Sequence, residues 1–272
     1  MSWQTTVPLL LILLAGLPHG ATDGVIVQYF AAKRLLSFTF FIILYSVIAG
    51  STFIVWYLAP FAGLVIFVAL SISHFGMMDT AESTHLPYRA VRILAHGFMP
   101  ILVIATAHSK ETAEIFSILI QDDASELIYL LQIATPIWAL IVSWLFLFQG
   151  VRGRQAALEI GILTIILTLL PPLWGFALYF CGIHSLRHFR KVIRVFQPLK
   201  KQFYWIIFAI SIFSITFVWT MAYWLTGANF DNSLIRATFI GLAALTIPHI
   251  LLIDCFKALH RVTKHREPTS LH

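Results

Sequence analysis

The chain has 272 residues, of which 59% are hydrophobic and only 11% are charged, and its mean hydropathy is +0.87. Soluble domains carry roughly 25% charged residues, so this composition excludes a water-soluble globular fold. The formal net charge of +6 fits Lys and Arg in the cytoplasmic loops of a membrane protein, and we expect no nucleic acid partner. We therefore predict one all-α, polytopic integral membrane helical bundle over residues 1–272, with a short basic C-terminal tail at 257–272.

The apolar stretches predict about nine transmembrane segments, since one spanning helix takes about 20 residues. In chain order these stretches are Val7–Phe30, Leu35–Ala49, Phe53–Met77, Val91–Ala107, Leu127–Phe148, Leu158–Leu170, Leu173–Val195, Phe203–Leu225 and Leu234–Phe256. The sixth is short, and the Pro171–Pro172 pair ends it, with Pro172 near the start of the next helix. The acidic segment between the fourth and fifth stretches, with Glu111 and Asp123, is expected as an outside loop.

An alternative with eight segments joins Leu158 to Phe180 in one span. It places the basic clusters near Arg152 and Lys200 on opposite sides of the membrane, against the positive-inside bias. Nine segments keep the basic clusters on one side. They predict a multi-pass protein of the cell (inner or plasma) membrane, with the N-terminus outside and the C-terminus in the cytoplasm.

Histidines interrupt three of these apolar stretches: His19 the first, His74 the third, and His184 and His188 the seventh. Ionisable groups inside membrane segments are rare and usually functional. Counted from the outer ends, His19 and His184 both lie about 17 Å deep, and His188 follows one helical turn later. His74 counts deeper, so it meets the others only if its helix tilts or starts later than Phe53.

Imidazoles from different helices can bind one metal ion, and iron, copper, zinc and nickel all accept this ligand. We therefore predict a metal site from these four histidines. Asp23 is expected to accept a ring N–H from a ligating histidine. His96 and His249 are candidates for supporting groups around the ligands, for replacements of His74, or for ordinary helix–helix hydrogen bonds. Arg187 could neutralise Asp23 or a bound oxygen species, or it could extend towards the cytoplasm, and we expect the latter. The first candidates for the walls of a substrate tunnel are Phe75, Phe176, Tyr179 and Phe180.

At these motifs the chain resembles the Brp/Blh family of bacterial and archaeal membrane proteins, the β-carotene 15,15'-dioxygenases. The matching strings are GLPHGATD at 16–23, SHFG at 73–76, IHSLRH at 183–188 and PH at 248–249. The resemblance implies Fe(2+)-dependent cleavage of the central 15,15' double bond of β-carotene with O2 in the lipid bilayer, giving two all-trans-retinal. It implies that the iron ligands are His19, His74, His184 and His188. A retinal-binding rhodopsin is implied only as a partner in the pathway.

Two other functional classes stay open on the residues alone. A membrane transporter, or a haem- or metal-binding helical bundle without catalysis, would use the same histidines to relay protons or to bind haem. A membrane di-iron desaturase or hydroxylase also has histidines near its helices, but it clusters HxxxH and HxxHH boxes at the cytoplasmic face. This chain has a single HxxxH, at His184 and His188, and no adjacent pair of histidines.

Overall fold

The computed structural model describes residues 3–16, 20, 22–24, 26–27, 37–80, 88–195, 201–224 and 230–266, and all regular structure in these ranges is helical. The helices are α1 (Trp3–Leu11), α2 (Phe38–Leu58), α3 (Pro60–Asp79), α4 (Arg89–Ala107), α5 (Ser109–Ile120), α6 (Ser125–Phe148), α7 (Gly150–Leu169), α8 (Pro172–Ala177), α9 (Leu186–Val195), α10 (Lys201–Trp224) and α11 (Phe230–Arg266). A π-helical segment, Ile12–Gly16, continues α1, and a second one, Leu178–Ser185, joins α8 to α9.

Within the described ranges, five helices are long and apolar enough to cross a bilayer. They are Thr39–Leu58, Pro60–Asp79, Arg89–Ala107, Ser125–Phe148 and Asp231–Leu252. Large apolar side chains also cover the outside of the bundle; Leu58 and Leu140, for example, are 73% and 71% exposed. An apolar outer surface of this kind is stable against lipid and not against water. The predicted all-α membrane bundle is confirmed, while the number of spans stays a prediction.

The boundary between the second and third predicted helices was wrong. We expected a break between Ala49 and Phe53, but α2 runs through these positions and ends at Leu58. The break falls at Ala59 because Pro60 follows it. A proline disfavours the helical conformation at the preceding residue, and its missing N–H costs nothing in the first turn of a helix.

This later start of α3 removes the depth mismatch of His74. His74 now lies about 21 Å along its helix from Pro60 at a rise of 1.5 Å per residue, and its ring centre is 4.9 Å from that of His184. The two imidazoles are therefore at similar levels. We expected His74 to meet the other histidines only if its helix tilts or starts later than Phe53, and the structure shows the later start.

Two further expectations about helix bounds need correction. The sixth predicted segment begins at Gly150 and not at Leu158, because no proline interrupts the chain there, and α7 is 20 residues long. It ends before the proline pair, and Pro172 lies in the first turn of α8, as predicted. The acidic segment that we expected as a loop contains a helix, α5, whose Leu119 and Ile120 are buried in the bundle.

Helices α3 and α4 contact each other backbone to backbone through two glycines. A Cβ added at Gly97 would lie 2.0 Å from the carbonyl oxygen of Ile72, and one added at Gly76 would lie 2.2 Å from the carbonyl oxygen of Ile93. Small residues of this kind allow membrane helices to approach closely. His74 stands between Ile72 and Gly76, so this contact positions the imidazole directly.

We predict that Gly97→Ala destabilises the protein by about 1–3 kcal/mol, because the added methyl group overlaps a backbone carbonyl that cannot move alone. The matched control is Gly161→Ala on α7, where nothing lies within 4 Å of the added Cβ. That substitution should be neutral or stabilising, since alanine favours a helix over glycine. Thermal unfolding of both variants in detergent measures the difference; equal midpoints would contradict the close contact.

Candidate metal centre

Three of the four predicted ligands come together in the middle of the bundle. His74 on α3, His184 in the second π-helical segment and His188 on α9 are all buried. The ring centres of His74 and His184 are 4.9 Å apart. His249 on α11 joins them, with ring centres 5.2 Å from His74 and 5.3 Å from His188. The fourth predicted ligand, His19, lies outside the described residues.

The spacing of these rings is close to that of imidazoles that share a cation. With metal–nitrogen distances near 2.1 Å, two imidazoles on one ion have their ring centres roughly 4.5–5.2 Å apart. The observed separations run from 4.9 to 5.3 Å. Among the described side chains, no three from His, Cys, Asp or Glu are arranged so that they could hold a metal ion together. The ligand set therefore stays a prediction, in which His19 supplies the fourth imidazole.

A π-helical segment carries one of the histidine motifs. Leu178–Ser185 has π-helical geometry, and α9 resumes the regular helix at Leu186. A π-turn advances the backbone differently from an α-turn and is frequently found at functional sites. The change of helix type between His184 and His188 alters the angle between their side chains. A plain α-helix, which we assumed from the sequence, does not describe this pair.

The carboxylate of Asp23 holds His249. Its Oδ1 atom lies 2.7 Å from Nδ1 of His249, and its Oδ2 atom accepts a hydrogen bond of 3.1 Å from the hydroxyl of Tyr45. The Asp23 side chain is almost fully buried, so these contacts replace the water that the carboxylate would otherwise bind. We expected Asp23 to accept an N–H from a ligating histidine, and the histidine that contacts it is His249.

A second buried carboxylate, Asp79 at the end of α3, contacts His184. Its Oδ1 atom is 3.3 Å from Nδ1 of His184, and its Oδ2 atom accepts a 2.6 Å hydrogen bond from the hydroxyl of Tyr179. Arg187 lies 3.7 Å from the same carboxylate and also pairs with Glu159. Arg187 therefore bridges two carboxylates, and its extension towards the cytoplasm stays a prediction.

Sequence reasoning missed both Asp79 and Thr22. Asp79 stands at the end of an apolar stretch, where a charged residue is ordinary, although it follows His74 on the same helix by little more than one turn. Thr22, whose Oγ1 atom is 3.1 Å from Nε2 of His188, carries only a hydroxyl group, which membrane helices tolerate without a special role. The GLPHGATD string, which contains Thr22, was the only signal for it.

The third supporting candidate, His96, lies elsewhere. Its Nδ1 atom is 3.0 Å from the carbonyl oxygen of Arg92, one turn earlier on α4. Within the part of the chain that the structure describes, no ring contact joins His96 to the other histidines. The ordinary hydrogen bond along a helix accounts for this buried imidazole.

A cavity lined by aromatic rings opens beside the histidines. His74 and His249 form part of its wall. The wall also contains three of the four aromatic residues that we selected from the sequence, Phe75, Phe176 and Phe180. The fourth, Tyr179, does not line this cavity, because its hydroxyl is engaged with Asp79 in the interior.

A second cavity adjoins the first and extends it between α4 and α5. The two cavities share Phe67, Ser71 and Phe176 as lining residues. The wall of the second cavity also includes Ile101 and Ile104. The two cavities are therefore neighbours inside the bundle, and the histidines border the first of them.

We predict that Asp79→Leu destabilises the protein strongly, because Tyr179 and His184 lose their acceptor inside the bundle. Each buried donor that is left without an acceptor costs about 1–3 kcal/mol. The control is Glu126→Leu at the exposed first turn of α6, which should cost less than about 1 kcal/mol. Unfolding midpoints in detergent measure both effects; an Asp79→Leu protein as stable as the control would contradict the role of this carboxylate.

Comparison with known proteins identifies the family. The model of the family described as beta-carotene 15,15'-dioxygenase matches residues 10–257. A beta-carotene 15,15'-dioxygenase from the uncultured marine bacterium 66A03 is 35% identical over 90% of this chain and 91% of its own length. The probable beta-carotene 15,15'-dioxygenase Blh of Halobacterium salinarum is 26% identical over 66% of this chain and 59% of its own length. No solved structure matches the chain. The chain belongs to the β-carotene 15,15'-dioxygenase family.

Proposed function

We propose that this protein cleaves the central 15,15' double bond of β-carotene with O2 and releases two molecules of all-trans-retinal. The carbon–carbon double bond and the O–O bond break, and each of the two carbons takes one oxygen atom as an aldehyde. The polyene itself supplies the electrons that reduce O2, so no external reductant is needed. The observation that carries the proposal is the group of buried imidazoles at the wall of an aromatic cavity. The name of the relative from the marine bacterium supports the same reaction.

The proposed cofactor is Fe(2+), and His19, His74, His184 and His188 would hold it. Neutral imidazole suits iron among the first-row metals, and the ring separations above fit a shared ion. When bound, iron would supply the activation of O2. The protein's own part is to fix the rings: Asp79 contacts His184, and Thr22 contacts His188. Contacts of this kind select the tautomer and the orientation of a ligating imidazole.

The cavities suit a long apolar polyene. β-Carotene dissolves in lipid, and its extended length is comparable with the ~30 Å hydrocarbon core of a bilayer. The rings of Phe176 and Phe180 are 5.5 Å apart and nearly parallel, and they offer flat apolar surfaces against which a polyene can lie. We propose that one half of the substrate occupies the second cavity, so that the central bond is held beside the imidazoles.

The proposed setting is the cell membrane, with the N-terminus outside and the C-terminus in the cytoplasm. The basic residues at the start of α7, Arg152 and Arg154, would then lie on the cytoplasmic side together with those of α9, in line with the positive-inside bias. Retinal released into the bilayer would reach a retinal-binding rhodopsin by lateral diffusion. Such a rhodopsin is a consumer of the product and not part of this site.

The proposal is tested by expression in a bacterium that makes β-carotene, followed by pigment extraction and metal analysis of the purified protein. The expected result is loss of orange colour, the appearance of retinal, and iron in the protein. Replacing His74, His184 or His188 by Ala should lower iron content and activity together by more than about a hundredfold, since even indirect disturbance of a ligand costs 10–100-fold.

The matched control is His108→Ala, because His108 lies at the end of α4 and has no place in the site. It should retain both iron and activity. If the alanine variant of His74, His184 or His188 keeps its iron, the replaced histidine is not an essential ligand. A Soret band in the purified protein, or turnover that survives complete removal of metal, would replace the iron oxygenase with one of the other functional classes.

We expect Ile104→Phe and Ile101→Phe to impair turnover of β-carotene or to move cleavage off the central bond, because both fill the second cavity. Overfilling a packed apolar space costs about 1–3 kcal/mol, which predicts roughly a tenfold loss with the full-length substrate. Ile165→Phe is the control, since Ile165 is 63% exposed on the outer surface of α7. Chromatography of the cleavage products measures the outcome; unchanged rates and products in all three variants would exclude this cavity as part of the tunnel.

A further inference from the structure

His249 occupies a place as central as that of any predicted ligand. It lies between His74 and His188, with ring centres 5.2 and 5.3 Å away, while His74 and His184 are 4.9 Å apart. His249 is therefore nearly as close to His74 and to His188 as His184 is to His74. The His249 side chain is also 4% exposed, and it forms part of the wall of the first cavity.

Two contacts hold His249 in this position. Its Nδ1 atom lies 2.7 Å from Oδ1 of Asp23. Tyr45 donates to the other oxygen of Asp23 and also lies 3.4 Å from the carbonyl oxygen of Leu245, one turn before His249 on α11. Tyr45 therefore ties the carboxylate to the same helix that carries the imidazole.

This arrangement determines which ring nitrogen can bind a metal. An ionised carboxylate accepts hydrogen bonds and donates none, so Nδ1 of His249 donates to Asp23, and Nε2 is the nitrogen that would bind a metal. A histidine that binds a metal characteristically donates its other N–H to a carboxylate in this manner. His184 repeats the pattern, since its Nδ1 atom contacts Asp79 at 3.3 Å.

We infer that His249 is a metal ligand of this site, and that Asp23 is the positioning residue that orients it. The inference rests on the proposed function, because it takes the metal centre as given and adds a ligand from α11 to the imidazoles of the other helices. It assigns a role to the PH string at 248–249, which lies 60 residues beyond the last of the four predicted ligands.

The test uses Co2+ as a spectroscopic probe of the metal-free, full-length protein in detergent. The visible absorption of Co2+ reports the number and type of its ligands, and titration gives its affinity. The variants are His249→Ala, His249→Gln and Asp23→Asn, with His108→Ala as the control. His249→Gln nearly preserves volume and polarity, so it keeps the test valid if the alanine variant does not fold.

Both His249 variants should change the Co2+ spectrum and weaken binding more than a hundredfold. Asp23→Asn should weaken it by 10–100-fold, the range for a group that orients a ligand, with a spectrum close to that of the wild type. The control should match the wild type. A folded His249→Gln protein with wild-type affinity and spectrum would overturn the inference. If the wild type itself bound no metal and produced no retinal, the proposed function would fail instead.

Discussion

The energetic cost of a polar group inside a lipid-embedded bundle governs this structure. An imidazole or a carboxylate there must find a partner, because no bulk water is available to solvate it. Asp23 and Asp79 meet this requirement through His249 and His184, and each also accepts a hydrogen bond from a tyrosine hydroxyl. These pairs join segments that are far apart in the chain, so the polar contacts of the site are at the same time contacts that hold the bundle together.

The backbone positions the helices so that these polar side chains can meet. Gly76 and Gly97 let α3 and α4 touch at their main chains, and Pro60 sets the start of α3 so that His74 reaches the level of the other rings. The π-helical segment Leu178–Ser185 changes the direction of the side chains just where His184 stands. Each of these features is local in sequence, but its effect is to align groups from different helices to within a few ångströms.

The same bundle separates two apolar environments. The outer surface faces lipid, and the inner cavities are lined by aromatic rings that begin at the histidines. A substrate that dissolves only in lipid can reach such a site from the bilayer without passing through water. Membership of the β-carotene 15,15'-dioxygenase family and this placement of imidazoles beside an apolar cavity therefore point to the same class of chemistry.

Composition and the rarity of ionisable groups in apolar stretches predicted the class of fold, most helices and the meeting of His74, His184 and His188. Ionisable groups have few permitted positions inside an apolar bundle. The proline pair at 171–172 also marked its helix boundary correctly. The roles of Asp79, Tyr179 and Arg187, and the contact between His249 and Asp23, did not follow. Asp23 and His249 are 226 residues apart, and periodicity within one helix carries no information about which face of a distant helix it will meet. Only the packing of the helices against one another decides such contacts.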